Sequence, residues 1–162
     1  LRKERVEIFL VPEGKNSLHY WPEVVGFWKT FRNVIVISLG RIVPWFSFKN
    51  FLYSRIGVKV GKDVAFGYMA MLDIFFPELI TIGENSIVGY NTTILAHEFL
   101  IKDWRKGPVV IGKDVMIGAN CTILPGVVIG DGAVISAHSL VNRDVEAGAI
   151  VGGVPIKNLE VS

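Results

Sequence analysis

The sequence holds a single cysteine, Cys121, among 162 residues, so no disulfide can close within the chain, and three histidines beside one thiol make a poor inventory for structural zinc. A reducing compartment is the expected setting, with the cytoplasm as the default location. An excess of one charge is also lacking: 17 Lys and Arg against 15 Asp and Glu leave +2, too balanced to call for nucleic acid. No apolar run reaches the roughly 20 residues that span a bilayer. The most apolar window, 34–48, carries Gly40, Arg41 and Pro44, which leaves only an interfacial helix open. The first apolar stretch, Val6 to Pro12, is broken by Glu7 and is shorter than the hydrophobic region of a secretion signal, so none is expected.

What the chain has is apolar material, 51% of its residues against 20% charged, which excludes disorder and suffices for one core. The charges are unevenly spread. Residues 1–59 hold ten basic and four acidic side chains, net +6, and residues 60–162 hold seven and eleven, net −4.

From Val60 onward an aliphatic or aromatic residue returns at every sixth position, a period that neither a helix nor an alternating strand produces. The leaders are Val60, Phe66 and Leu72; then, after ten residues, Ile82, Val88 and Ile94; then Ile111, Ile117, Ile123, Ile129, Ile135 and Val141. Glycine often follows the leader, as at Gly61, Gly89 and Gly118, which is read as the mark of a corner. Four residues after ten of the twelve leaders stands a small or β-branched side chain, from Val64 to Val145. Cys121 occupies one of these places and reads as core packing. Three hexads make one triangular coil, and stacked coils make parallel sheets around a continuous interior, although periodicity does not fix the handedness.

The hexads Ile111-Gly-Lys-Asp-Val-Met, Ile117-Gly-Ala-Asn-Cys-Thr and Ile129-Gly-Asp-Gly-Ala-Val, with the ending Val151-Gly-Gly-Val-Pro-Ile-Lys, resemble the hexapeptide-repeat acyltransferases. Over residues 60–158 the likeness is greatest to the maltose and galactoside O-acetyltransferase group. The resemblance implies a mainly β fold, a left-handed parallel β-helix assembled as a homotrimer. It also implies acetyl-CoA as acyl donor, with no metal required, and a saccharide or other small-molecule acceptor.

Residues 1–59 are different, holding eleven of the eighteen aromatics. Val24, Phe27, Trp28, Phe31, Val34 or Ile35, and Ser38 follow helical spacing behind Pro22 and Glu23, and a second helix fits 44–53. These helices are expected to cap the open first coil with that apolar stripe. The competing reading places Trp28, Trp45, Phe46 and the neighbouring Lys29, Arg32, Arg41 and Lys49 against a membrane surface, as a peripheral contact, or a lipid-linked acceptor. Residues 159–162 read as a tail.

The chemistry is sought where the repeat breaks. After Ile94-Leu-Ala-His97-Glu98 the register is lost until 110, and the segment 99–110 reads as an active-site loop containing Trp104. His97 falls at the fourth place of its hexad, at a corner. Imidazole, with an ordinary pKa near 6.5, can take a hydroxyl proton at neutral pH as the oxygen attacks a thioester, and the resemblance implies a catalytic His there, with direct transfer. Glu98 is the candidate to orient it.

By the same resemblance, Gly118, Ala119, Ala137, Asn142, Arg143 and Lys157 match coenzyme-A-binding positions. An amide of Gly118 or Ala119 would stabilise the oxyanion. Met69 stands where the sugar enzymes carry an acceptor-binding Asn; Asp73 and the loop's Trp104 are the remaining acceptor candidates. His138, at the same hexad place as His97, raises a γ-type carbonic anhydrase as a rival, but that site needs a third His from the helix. A catalytically inert scaffold is the other alternative.

Overall fold

The computed structural model describes residues 1–159; of the expected tail, 160–162 lie outside the described residues. In chain order come β1 (Glu7–Leu10), α1 (Trp21–Val25), α2 (Phe27–Ile42) and α3 (Phe46–Arg55). The first coil is β2 (Lys59–Val60), β3 (Ala65–Phe66) and β4 (Met71–Leu72), and the second β5 (Ile80–Ile82), β6 (Ile87–Val88) and β7 (Thr93–Ile94). A hairpin, β8 (His97–Phe99) and β9 (Asp103–Lys106), interrupts the winding. It resumes with β10 (Val109–Ile111), β11 (Met116–Ile117), β12 (Thr122–Ile123), β13 (Val128–Ile129), β14 (Val134–Ile135), β15 (Leu140–Val141), β16 (Ile150–Gly152) and the closing β17 (Lys157–Asn158).

Successive strands visit three parallel sheets in rotation, β13-β10-β5-β2, β16-β14-β11-β6-β3 and β15-β12-β7-β4, which makes a three-sided parallel β-helix. In-register pairs such as Ile111 with Ile82 and Ile117 with Val88 stack the leaders. Eleven of the twelve leaders are buried, Val60 being half-buried, and the small residues from Val64 to Val145 fill the interior between them. Where these are polar, they bond the next coil: Ser86 Oγ donates to the Gly112 carbonyl at 2.8 Å and Thr92 Oγ1 to that of Gly118 at 2.7 Å. Burial pushes the Cys121 thiol above its ordinary pKa, consistent with core packing.

The corner chemistry differs from expectation. The left-handed backbone falls at the fourth hexad place, on Asp63, Asn85, Asn91, Asp114, Asn120 and, less usually, Met69 and His138. The glycines at the second place are required by close approach. A Cβ on Gly89 would lie 2.5 Å from the Gly118 carbonyl carbon, and one on Gly118 2.5 Å from the Ala137 amide.

The N-terminal helices cap the first coil through polar bonds and a narrow apolar face. Gly26, at φ 88°, splits the expected helix into α1 and α2. The buried side of α2 is Thr30, Asn33, Ile37 and Gly40, so the apolar stripe read from the sequence faces outward. Lys49 is buried and donates to the carbonyls of Phe66 at 3.0 Å and Gly67 at 3.3 Å; Asn50 donates to Val64 at 2.9 Å and Asn33 to Ile74 at 2.9 Å. The carbonyls of Val64, Phe66 and Gly67 stand on a coil with no coil before it to bond them, and that of Ile74 lies in the break that follows this coil. Desolvation lowers the Lys49 pKa, the cost of placing an ammonium there.

Candidate active site

Both breaks in the hexad rhythm fall at one corner, after the third strand of their coils, so the insertion 73–79 lies against 95–108 of the next coil. Asp73 is 1% exposed and anchors the first insertion: its Oδ1 accepts the amides of Phe75 and Phe76, both at 2.9 Å. Its Oδ2 accepts the amide of Ala96 at 2.7 Å and lies 2.5 Å from Nδ1 of His97. The carboxylate has no exposed surface under these bonds, so it holds the histidine and does not face an acceptor, contrary to expectation. With Nδ1 committed to Asp73, Nε2 is the nitrogen left for chemistry.

His97 leaves the helical register here. It has no left-handed φ and opens β8 in extended conformation, with a side chain 14% exposed. Phe75 at 4.9 Å, Phe99 at 5.2 Å and Phe76 at 6.1 Å, centroid to centroid, surround the imidazole.

The segment expected to be a loop is a hairpin in a three-stranded antiparallel sheet, β1-β9-β8. Trp104 is 8% exposed and stacks between Phe9 at 4.2 Å and Phe76 at 5.7 Å, so it is the hairpin's packing core and does not face an acceptor. Glu98 points away from His97. It meets Arg2 at 3.4 Å and lines a cavity of about 190 Å³ with Arg2, Lys3, Ile8 and Arg105, so the orienting role expected of it belongs to Asp73. Sequence reasoning missed Lys106, which pairs with His97 across the hairpin and lies 5.8 Å from the Phe76 ring, and gave Lys29 only to a membrane or lipid-linked acceptor, whereas it lies 5.2 Å from the same ring and is bonded to Glu78 at 2.6 Å. No periodicity marks either of them.

The N-terminus ties down this corner. Arg2 donates to the Pro125 carbonyl at 2.7 Å and Arg5 to that of Gly126 at 2.9 Å, and Arg5 pairs with Asp144. Partial burial pushes the Asp144 carboxyl up, but the Arg5 guanidinium and the Val128 amide outweigh it and hold the group below its ordinary value.

A family model described as "Bacterial transferase hexapeptide (six repeats)" matches residues 108–143. The "Putative acetyltransferase YvoF" of Bacillus subtilis (strain 168) is 55% identical over 145 residues, covering 89% of this chain and 84% of that protein. The chain belongs to the hexapeptide-repeat acetyltransferases. Among solved structures, the hexapeptide-repeat acetyltransferase VCA0836 of Vibrio cholerae, complexed with acetyl coenzyme A, superposes with TM-score 0.66 at 21% identity, covering 82% of this chain and 86% of that one. A galactoside acetyltransferase in complex with coenzyme A gives 0.65 at 23% identity, covering 99% and 90%. Both share the fold.

In this acetyltransferase the expected cofactor residues fall into separate groups. Gly118, Ala119 and Ala137 stack on the corner between the second and third strands of successive coils, where the His138 amide donates to the Ala119 carbonyl at 2.8 Å. The Gly118 amide is spent on Ile135 at 2.8 Å and cannot serve an oxyanion, which leaves that of Ala119. Asn142 and Arg143 follow β15 on the His97 corner, and Arg143 donates to the Ile156 carbonyl at 2.6 Å. Lys157 is exposed on β17. Met69 is tied to α2, its amide donating to the Arg41 carbonyl at 2.9 Å. His138 sits 3.3 Å from Asn120 in a corner ladder, and among the described residues no three His, Cys, Asp or Glu side chains are grouped to share a metal.

Proposed function

We propose that the chain transfers an acetyl group from acetyl-CoA to a hydroxyl of a saccharide-like acceptor, with His97 as general base. The observation that carries this reading is the buried Asp73 carboxylate on His97 Nδ1, at 2.5 Å. Asp73 accepts a hydrogen bond from Nδ1–H and so fixes the tautomer whose Nε2 is a bare lone pair. Nε2 takes the acceptor hydroxyl proton while the oxygen attacks the thioester carbonyl. The C–S bond then breaks, the thiolate takes the proton back from the imidazolium, and the products are the acetyl ester and free coenzyme A. Phe75, Phe76 and Phe99 exclude water from the imidazole edge, which limits hydrolysis of the thioester.

The second part of the reading is a homotrimer of left-handed β-helices. His97 and the Gly118–Ala119 pair stand on different corners of the coil, at opposite ends of its third side, so one chain does not bring base and proposed donor groove together. A neighbouring copy that offers its Ala119–Ala137 corner to the His97 corner completes the site, as the resemblance implies. The names of the relatives and the coenzyme A complexes of the same fold support acetyl-CoA as donor.

The test is release of free coenzyme A from acetyl-CoA with a panel of sugars and other alcohols, for wild type and His97→Gln. Acceptor-dependent release that falls about 10²-fold or more in the variant, with acetyl-CoA binding kept, is expected. Turnover that survives the substitution overturns the base assignment.

A further inference from the structure

The outward face of α2 and α3 is the largest feature that the transfer reading leaves unused. Trp28 is 77% exposed, Trp45 68%, Phe51 56%, Ile42 55%, and Phe31 and Ile35 each 51%. On α2 these residues recur at three and four positions and form one continuous stripe, while the opposite side, through Thr30, Asn33, Ile37 and Gly40, carries the contact with the coil. The stripe is therefore surplus to capping. Monomeric surfaces rarely leave so many neighbouring large apolar side chains open without a partner.

The charge around the stripe identifies the partner's chemistry. Residues 24–62 contain seven lysines and arginines and no aspartate or glutamate. Of these, Lys49 is buried in the cap and Lys29 is neutralised by Glu78, but Arg32, Arg55 and Lys59 are exposed. An aromatic-rich face on two helices that carry Lys and Arg and no Asp or Glu of their own, with Glu78 engaged by Lys29 and Asp63 beside Phe46 as the neighbouring acids, fits the headgroup region of an anionic bilayer, where Trp and Phe enter the acyl boundary and Arg and Lys meet lipid phosphate. No helix among the described residues is long and apolar enough to cross a membrane, so the contact would lie in the plane of the surface. The stripe also begins beside the His97 pocket: Trp21 lies 6.3 Å from Phe27 and 5.8 Å from Phe75, which packs on His97.

We infer that the outward face of α2 and α3 is a membrane-docking surface that seats the protein on anionic lipid. This stands on the exposed face alone and does not depend on the acyl-transfer reading.

The test is co-sedimentation of the full chain with phosphatidylcholine vesicles, with and without about one third phosphatidylglycerol, for wild type, Trp28→Ser/Trp45→Ser and Arg32→Glu/Arg55→Glu. Circular dichroism checks that each variant is folded, and sedimentation equilibrium measures its oligomeric state. Binding to the anionic vesicles, weakened at least tenfold by either double variant and by high salt, with the oligomeric state unchanged, is the expected result. Failure of folded wild type to bind anionic vesicles overturns the inference. So does a change of oligomeric state in Trp28→Ser/Trp45→Ser without loss of vesicle binding, which would make the face a contact between copies.

Discussion

Asp73 and His97, 24 residues apart in sequence, meet at 2.5 Å because two consecutive coils both break their rhythm at the same corner. The break after Leu72 provides the carboxylate and the break after Ile94 the imidazole. Stacked coils lie about 4.8 Å apart, so the two departures from regularity become neighbours.

Replacing Asp73 with Asn separates the orienting role from binding. The Asn NH2 must stand either at the Oδ2 place, facing Nδ1 and the Ala96 amide, or at the Oδ1 place, facing the amides of Phe75 and Phe76, so the charged acceptor that fixes the bare Nε2 tautomer is lost in either case. Turnover is expected to fall about 10²-fold or more while acetyl-CoA affinity is kept. Loss of one buried acceptor also costs roughly 1–3 kcal/mol of stability. Steady-state kinetics, calorimetric binding and urea unfolding read the three effects; unchanged turnover in folded protein would remove Asp73 from the mechanism.

A site shared between copies predicts complementation. His97→Ala lacks the base and Ala119→Trp fills the donor groove, so each assembly alone should be inactive. Co-expressed hybrids should regain a measurable fraction of activity, because some sites then pair an intact His97 with an intact Ala119. Hybrids confirmed by mass that stay inactive would place base and donor in one chain.

The two kinds of glycine should respond differently. Gly89→Ala drives a Cβ to within 2.5 Å of the next coil's backbone and is expected to cost about 2–3 kcal/mol. Gly132, at φ 68° with nothing within 4 Å of where a Cβ would stand, occupies the corner place that Asn fills in other coils. Gly132→Asn should therefore change stability by less than about 1 kcal/mol. Urea unfolding midpoints of the two variants decide it; equal losses would refute the close-approach account.

Asp144 makes the N-terminal clamp sensitive to acid. Its carboxyl is held below its ordinary pKa in the fold, so its contribution is complete above the unfolded value, near 4, and is lost as pH falls through the folded value. The Arg5 and Asp144 side chains are 31% and 36% exposed, which limits that contribution to about 1 kcal/mol or less. The melting-temperature gap between wild type and Asp144→Asn should close as the pH is lowered from about 6 toward 2. A gap that persists there would assign the stability to packing.

The repeat is readable in the sequence because a solenoid's contacts lie at fixed separations: each leader packs on another leader, and the sixth-residue period survives in one dimension. The same register locates both breaks and His97. Which carboxylate serves that histidine is not readable, since Glu98 is its neighbour along the chain and Asp73 its neighbour only across coils. Side-chain alternation in β8 sends Glu98 toward Arg2, while the stack brings Asp73 underneath. Trp104 escapes the sequence for a related reason: a segment without the hexad period can still pack, and its partners Phe9 and Phe76 are distant from it along the chain.

The N-terminal helices show the division again. Their spacing reveals an apolar stripe, but a stripe does not say which way it faces, and the coil's unpaired carbonyls select the polar side through Lys49, Asn50 and Asn33. The sequence by itself determined the coil, its core and the corner where chemistry is sought, because these depend on periodic, local rules. Only the tertiary structure decided what holds His97 and which helix face is left open, because those depend on hydrogen-bond partners that meet only when the coils are stacked.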